Sequence, residues 1–389
     1  MMDEVVEWAE PHEVGLDPAR LARIGRFFEA EIAAGRMPGA VLGIVRDGRL
    51  AFLEAFGHRD RARGLPMTTD SLFWIASMSK PVTAVGALLL HEQGRLMLDT
   101  PVSTYLPEFA NRLVAHGDGT TRPATRQPSL VDLLRHTAGL PEGLLGDSPV
   151  HRMYADAVGD GMTDLTGREF IERLAALPLL HEPGAVWHYG WGLDLIGLII
   201  ESLTGERLGD YLRKAVFAPL GMKDTTFGVS DEDRFARPLP RDPLTGKPQS
   251  LPDLGRARFD SGGAGLVSTV PDYLRFLRVL LDKGHGLLGR KTVEFMLTEQ
   301  TGPGTDLTRL HKPGWNPGHG FGLAVAVRRT AAGGTAGSPG EVTWPGAAGT
   351  SWWADPVEDL GVAFFTHTPS AIQGHYQQQV KALVTQALR

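Results

Sequence analysis

The chain has 389 residues with 39 basic and 45 acidic side chains, a net charge of −6, so it has no basic excess to neutralise phosphates and nucleic acid is not an expected partner. It contains no cysteine, which removes disulfides and thiolate metal sites. Its 42% hydrophobic and 22% charged content is that of an ordinary soluble globular protein, and its length predicts two domains or one elaborate domain.

The opening residues Met1-Met2-Asp3-Glu4-Val5-Val6-Glu7 are acidic and lack an apolar segment, unlike a secretory signal. No apolar stretch reaches the ~18 residues of a membrane span before a glycine or a charge breaks it, so no membrane partner is expected and the cytoplasm is the expected compartment. A first helix is predicted over 18–34, with Leu21, Ile24, Phe27, Phe28 and Ile32 on one face. Two apolar runs, 41–45 and 50–56, flank Arg46-Asp47-Gly48-Arg49, where Asp-Gly signals a hairpin.

The strand-like run Leu72-Phe73-Trp74-Ile75 leads into Ser77-Met78-Ser79-Lys80. Residues three apart on a helix are neighbours, so the pair that can touch is Ser77 and Lys80. A serine hydroxyl needs a base to act as a nucleophile, and an amine desolvated in an apolar pocket can lose its proton near neutral pH and supply one. Pro81 belongs in a first turn, where backbone N–H groups lack partners anyway, so the helix must begin at about Ser77. Residues 82–90 are apolar on nearly every side, which means burial, and Gly94 stops the helix. The alternative is a helix-capping Ser77 and a solvated Lys80.

Segments 115–128, 143–149 and 237–256 read as loops from their Gly, Pro, Asp, Ser and Thr content. After the turn Glu182-Pro183-Gly184, Tyr189 precedes a helix running from Trp191 through Leu195, Leu198, Ile199 and Leu203 to Gly205. A tyrosine at a helix mouth can project its phenol into a cleft, and Lys80 could lower its pKa; otherwise it is a packed aromatic. Residues 284–292 approach a phosphate loop but read as a charged turn before a helix. Strands are predicted at 321–327, 350–354 and 361–365, and a last helix over 373–388. Between the first two of these strands, Trp344-Pro345-Gly346 is either a plain hairpin turn or a place where a backbone N–H reaches a developing oxyanion.

Ser77-x-x-Lys80, a tyrosine motif about 110 residues later and a turn ending in Gly346 resemble, in that order, the serine β-lactamase and penicillin-binding-protein superfamily. Leu134-Arg135-His136-Thr137-Ala138-Gly139-Leu140, Ala218-Pro219-Leu220-Gly221-Met222 and Gly263-Ala264-Gly265-Leu266-Val267-Ser268-Thr269 resemble landmarks of its class C and esterase branches. A class C β-lactamase would carry Tyr-x-Asn and Lys-Thr-Gly, whereas this chain has Tyr189-Gly190-Trp191 and Trp344-Pro345-Gly346; Lys312-Pro313-Gly314 comes too early to serve. Without that lysine a desolvated substrate carboxylate lacks its partner, which is costly. Trp-x-Gly, followed by Gly349-Thr350-Ser351-Trp352-Trp353, is similar to the family VIII carboxylesterases.

The resemblance implies an α/β fold: an antiparallel sheet flanked by helices, from residues 1–85 and 220–389, with a mainly helical insertion over 86–219. It implies Ser77, Lys80 and Tyr189 as catalytic residues, the N–H groups of Ser77 and Ala347 as oxyanion donors, and no metal or cofactor. Trp344, Gly346, Trp191, Trp187 and Trp352 would line an aromatic-walled site for a small, neutral ester of short to medium chain. Acyl transfer to an alcohol uses the same residues. Amide, D-amino-acid peptide or β-lactam hydrolysis and a non-catalytic ligand-binding relative are the other readings. No Gly-x-Ser-x-Gly and no His-Glu-x-x-His occurs, and the 13 histidines show no metal-ligand spacing.

Overall fold

The computed structural model describes residues 7–116, 120–159, 164–303, 307, 318–332 and 334–389. Residues 1–6, Lys312-Pro313-Gly314 and parts of the loop at 115–128 lie outside the described residues. The strands are β1 (Gly39–Arg46), β2 (Arg49–Asp60), β3 (Leu65–Pro66), β4 (Phe73–Trp74), β5 (Leu113–Ala115), β6 (Thr121–Pro123) and β7 (Thr226–Phe227). They continue as β8 (Leu266–Ser268), β9 (His319–Phe321), β10 (Ala326–Arg328), β11 (Val342–Thr343), β12 (Ser351–Asp355) and β13 (Leu360–Phe365). The helices are α1 (Pro18–Ala33), α2 (Ser79–Glu92), α3 (Leu130–Leu134), α4 (Pro149–Val158), α5 (Gly167–Ala175) and α6 (Gly192–Thr204). They end with α7 (Leu208–Leu212), α8 (Ala218–Leu220), α9 (Val270–Leu281), α10 (Arg290–Leu297) and α11 (Ile372–Thr385).

Helix α1 starts where Asp17 accepts the N–H groups of Ala19 and Arg20 at 2.9 and 3.2 Å, with Pro18 in its first turn. The β1–β2 hairpin turns on Asp47 and Gly48, whose φ values of 52° and 67° are those a two-residue hairpin turn demands. Among the described residues the main sheet has eight strands in the order β3-β2-β1-β13-β12-β11-β10-β9, antiparallel at every pairing. Both faces of β1 are buried, and its side chains alternate between two cores. Val41 and Val45 enter the core shared with α2, α6 and α9, while Leu42 and Ile44 enter the one beneath α1 and α11. On the second face Phe28 of α1 stacks on Phe364 of β13 at 5.6 Å. On the first, Gly43 leaves room for α9, since a Cβ there would come within 2.6 Å of Leu274.

The predicted strand over 321–327 is a hairpin instead. The chain leaves β9 at Phe321, turns with Gly322 N–H donating to Val325 O at 2.9 Å, and returns as β10; Ala324, at φ 61°, makes the turn. Apolar content alone does not reveal a left-handed residue. A small sheet, β4-β8-β7, sets Phe73 and Trp74 beside Ser268 and Val267 and so delivers the chain to Ser77. Helix α2 is buried along nearly its whole length, as its all-round apolarity requires, and α6 packs against it. No helix among the described residues is long and apolar enough to cross a membrane.

Candidate active site

Ser77 lies in a 3-10 turn, Ala76–Met78, that joins β4 to α2. Ala76 adopts φ 46°, a left-handed conformation that costs about 1–2 kcal/mol for a residue with a Cβ. The turn is held from several sides: Ile75 N–H donates to Leu266 O at 3.0 Å, and the Tyr273 hydroxyl donates to Met78 O at 3.0 Å. Ser79 has a structural task. Its hydroxyl donates to Ala76 O at 2.7 Å and accepts Leu266 N–H at 3.0 Å. Ser77, half-buried, is therefore the serine left to face outward.

Lys80 follows one helical turn later and is 1% exposed. Its ammonium donates to Ser77 Oγ at 3.3 Å and to the Gly263 carbonyl at 2.8 Å, and lies 4.6 Å from the centre of the Tyr189 ring. The Tyr189 hydroxyl hydrogen-bonds Ser77 Oγ at 2.7 Å, across 112 residues of chain. Tyr189 reaches this point because the backbone of Gly190 passes against Leu140, where a Cβ would sit 1.7 Å from the Leu140 carbonyl oxygen. Glycine there is a steric necessity.

Trp344 stands on the Tyr189 ring, centroids 5.2 Å apart, and meets Phe321 edge-on at 5.0 Å. Trp187 joins the cluster through Phe321 at 5.4 Å. Gly346 brings its strand turn against the serine turn: a Cβ on it would lie 2.4 Å from Ile75 O. The next residue, Ala347, is exposed, and its N–H, like that of Ser77, donates to no group among the described residues. Two expected wall residues are elsewhere. The Trp191 ring packs edge-on against Phe170 of α5 at 5.4 Å, and Trp352 is wholly buried in the core against Tyr273 at 6.0 Å. Each lies near a motif in sequence but points where its own element's packing sends it. In β12, Trp352 is opposite Ala363 of β13, a register that turns its indole into the core.

The electrostatics depart from a simple desolvated amine. Burial pulls the Lys80 pKa down, but the Tyr189 oxygen, Glu142 and Asp194 outweigh it, and the net effect raises Lys80 above an ordinary lysine. Burial and Glu142 also raise the Tyr189 phenol, against the pull of Lys80. The resting site therefore holds an ammonium and a phenol. Glu142 and Asp194 are themselves raised by burial, with Lys80 opposing. His136, against the Tyr189 ring at 4.6 Å, is kept neutral well below its ordinary pKa by burial and by Lys80. Its Nδ1 accepts Gly190 N–H at 3.3 Å, which assigns the ring proton to Nε2.

Sequence reasoning passed over Phe321, Glu142, Asp194 and Gly263 as members of this cluster. Gly263 alone carried a signal, in the run Gly263-Ala264-Gly265.

Residues 24–384 match the family model described as Beta-lactamase. The chain is 34% identical over 381 residues to "Esterase EstB" of Burkholderia gladioli, covering 92% of this chain and 93% of that protein. Among solved structures it resembles "EstCE1, a hydrolase with promiscuous acyltransferase activity", with a TM-score of 0.80 at 30% identity over 94% of this chain and 98% of the other. Unliganded simvastatin synthase (LovD) from Aspergillus terreus, as its selenomethionyl derivative, gives a TM-score of 0.80 at 25% identity, again over 94% and 98%.

Proposed function

The chain belongs to the beta-lactamase family, and from that premise we propose that it is a serine carboxylesterase working through an acyl-enzyme on Ser77. The observation that carries the reading is the convergence on one hydroxyl: Tyr189 OH at 2.7 Å and Lys80 Nζ at 3.3 Å from Ser77 Oγ. Ser77 Oγ attacks the ester carbonyl as its proton passes to the Lys80–Tyr189 pair. The N–H groups of Ser77 and Ala347 receive the negative oxygen, each worth roughly 3 kcal/mol in the transition state. The pair returns the proton to the leaving alkoxide, and water then cleaves the acyl-enzyme by the same steps in reverse order.

Because both members of the pair have raised pKa values, the form able to accept a proton accumulates on the alkaline side. The two groups titrate as a unit. Activity should climb with pH until that unit has lost its proton.

Trp344 supports a neutral substrate. An indole on the Tyr189 ring offers no counter-charge to a substrate carboxylate, and burying one unpaired costs more than the 1–3 kcal/mol that a methylene or two discriminates. Short- to medium-chain esters are the proposed class. The similarity to a hydrolase with promiscuous acyltransferase activity, beside that to an esterase, favours one second reading, transfer of the same acyl group to an alcohol. The division into 1–85 with 220–389 and an inserted 86–219 belongs to the same proposal.

The test compares kcat/KM for p-nitrophenyl butyrate and benzylpenicillin in one buffer, with and without an added alcohol acceptor. A clear butyrate advantage is expected; equal values or a penicillin advantage overturn the esterase reading. Fluorophosphonate labelling mapped by peptide mass should mark Ser77. An adduct on Ser79, or labelling that survives Ser77→Ala, removes Ser77 from the mechanism.

A further inference from the structure

Asp194 is a carboxylate buried to 2% exposure in the first turn of α6, and among the described residues no lysine or arginine makes an ion pair with it. Its Oδ1 accepts the Ser261 hydroxyl at 2.5 Å and the Gly263 N–H at 3.2 Å. The carbonyl of that same Gly263 accepts the Lys80 ammonium at 2.8 Å. The peptide segment between carboxylate and ammonium is clamped along its length. Thr83 of α2 donates to Gly262 O at 2.8 Å, and Ala264 O accepts the Trp74 indole N–H at 2.6 Å. There is no slack in it: a Cβ on Gly263 would come 2.3 Å from Asp194 Oδ2, and one on Gly262 would come 2.5 Å from Leu193 O.

We propose that Asp194 is a positioning residue, which fixes the Ser261–Gly263 segment so that the Gly263 carbonyl holds Lys80 at the Ser77 hydroxyl. The proposal rests on the reading of Ser77 and Lys80 as nucleophile and proton carrier. It gives Gly262 and Gly263 a role, since side chains there would strike Leu193 O and the Asp194 carboxylate and displace the segment from α6. Asp194 also acts through its charge. The groups that act on Lys80 are Tyr189, Glu142 and Asp194, with His136 kept neutral beside them; Asp194 itself faces Lys80 and Glu142. Removing one negative charge from this set lets burial count for more, so Lys80 gives up its proton at lower pH.

Asp194→Asn keeps an acceptor for Ser261 and Gly263 and removes the charge; Asp194→Ala removes both. The measurement is kcat and KM for p-nitrophenyl butyrate across pH, on the full chain. Asp194→Ala should lose on the order of a hundredfold in kcat with KM little changed, the cost of a misplaced catalytic group. Asp194→Asn should recover most of that loss at alkaline pH, with its activity limb displaced to lower pH by about half a unit or more. An Asp194→Asn profile superimposed on the parent, or an Asp194→Ala enzyme of parental kcat, overturns the proposal. Should Asp194→Ala fail to fold, the Asn variant still decides through its pH limb. Lys80→Ala in the same assay separates the two layers: if it keeps full activity the proton-carrier reading falls, and if it is inactive while Asp194→Asn matches the parent, only the role of Asp194 falls.

Discussion

Among the described residues two lysines are buried, each with its ammonium about the same distance over an aromatic ring, and they are held in opposite ways. Lys80 lies 4.6 Å from the Tyr189 ring centre, and Lys381 of α11 lies 4.5 Å from that of Trp353. Lys381 makes a direct ion pair with Glu341, and Arg328 approaches the same carboxylate at 3.7 Å. Lys80 touches no carboxylate; it donates to a hydroxyl and a carbonyl. Yet burial, with Arg328 adding to it, lowers Lys381 to about 8, while Lys80 is raised. Contact with an anion does not decide the direction; the sum of surrounding charge against the cost of burial does. Lys381 shares its anion with a second cation, and Glu341 is itself raised by burial. Lys80 sits among two carboxylates and a phenol with no competing cation in contact. One lysine is a clasp between a helix and the sheet. The other is bonded to a hydroxyl that can exchange a proton with it and to a peptide carbonyl that holds it in place.

The sharpest way to break this contrast is to remove each lysine in turn. Lys80→Ala and Tyr189→Phe should each lower kcat by at least about a hundredfold. Their combination should cost far less than the product of the two, because a shared proton path fails once. Lys381→Met should leave kcat within about twofold of the parent. A Lys381 variant that loses activity as Lys80→Ala does would erase the distinction.

Asp132 offers the acidic counterpart. Its buried carboxylate takes Arg126 at 2.6 Å and Arg135 at 3.0 Å, accepts Ser129 N–H at 3.0 Å at the start of α3, and has a pKa lowered to about 2. Burial works against this lowering, and the arginine and serine bonds overcome it. Asp132→Ala should destabilise the protein by about 3 kcal/mol in denaturant unfolding, since two guanidinium groups lose a buried partner. The stabilisation from this group is present above the ordinary carboxylate pKa and is lost as pH falls from about 4 toward 2. A loss under about 1 kcal/mol would reduce Asp132 to a surface ion pair.

The smallest effect carries the clearest sign. Between pH 8 and 10.5 the unfolded chain holds a proton on Lys381 that the folded chain has released, so stability rises with pH through that window, by about 1 kcal/mol from pH 8 to 9. Lys80 has the reverse linkage: its contribution is complete below the ordinary lysine pKa and is lost only as pH rises through its elevated folded value. Thermal unfolding of the parent and Lys381→Met across this range should diverge, the parent gaining. Parallel curves would mean that Lys381 titrates as a free lysine.

The local chemistry was legible because it is local. Ser77 and Lys80 are one helical turn apart, and Pro81 and the apolar run behind them fix where that turn begins. Tyr189 was legible only through resemblance, since no spacing rule joins residues 112 apart. The hairpin at Phe321 was hidden by Ala324, whose left-handed backbone no composition announces. Trp191 and Trp352 were assigned to the cleft from their neighbours in sequence, but a ring's direction is set by the element that carries it. Glu142 and Asp194 act on Lys80 through space, and nothing in a linear chain marks a field.

The register Val41↔Phe365 has a consequence in time. The β1–β2 hairpin needs only neighbours and can form at once, but the strand that covers its open edge is roughly 320 residues away. At ~5–20 residues per second a ribosome takes tens of seconds to reach it. Until then the apolar faces of β1 have no sheet to join, and Ser77 has no Gly346 turn beside it. A nascent chain of this protein thus carries Ser77 early without the Gly346 turn that packs beside it, so the proposed site is complete only when nearly the whole chain has been made.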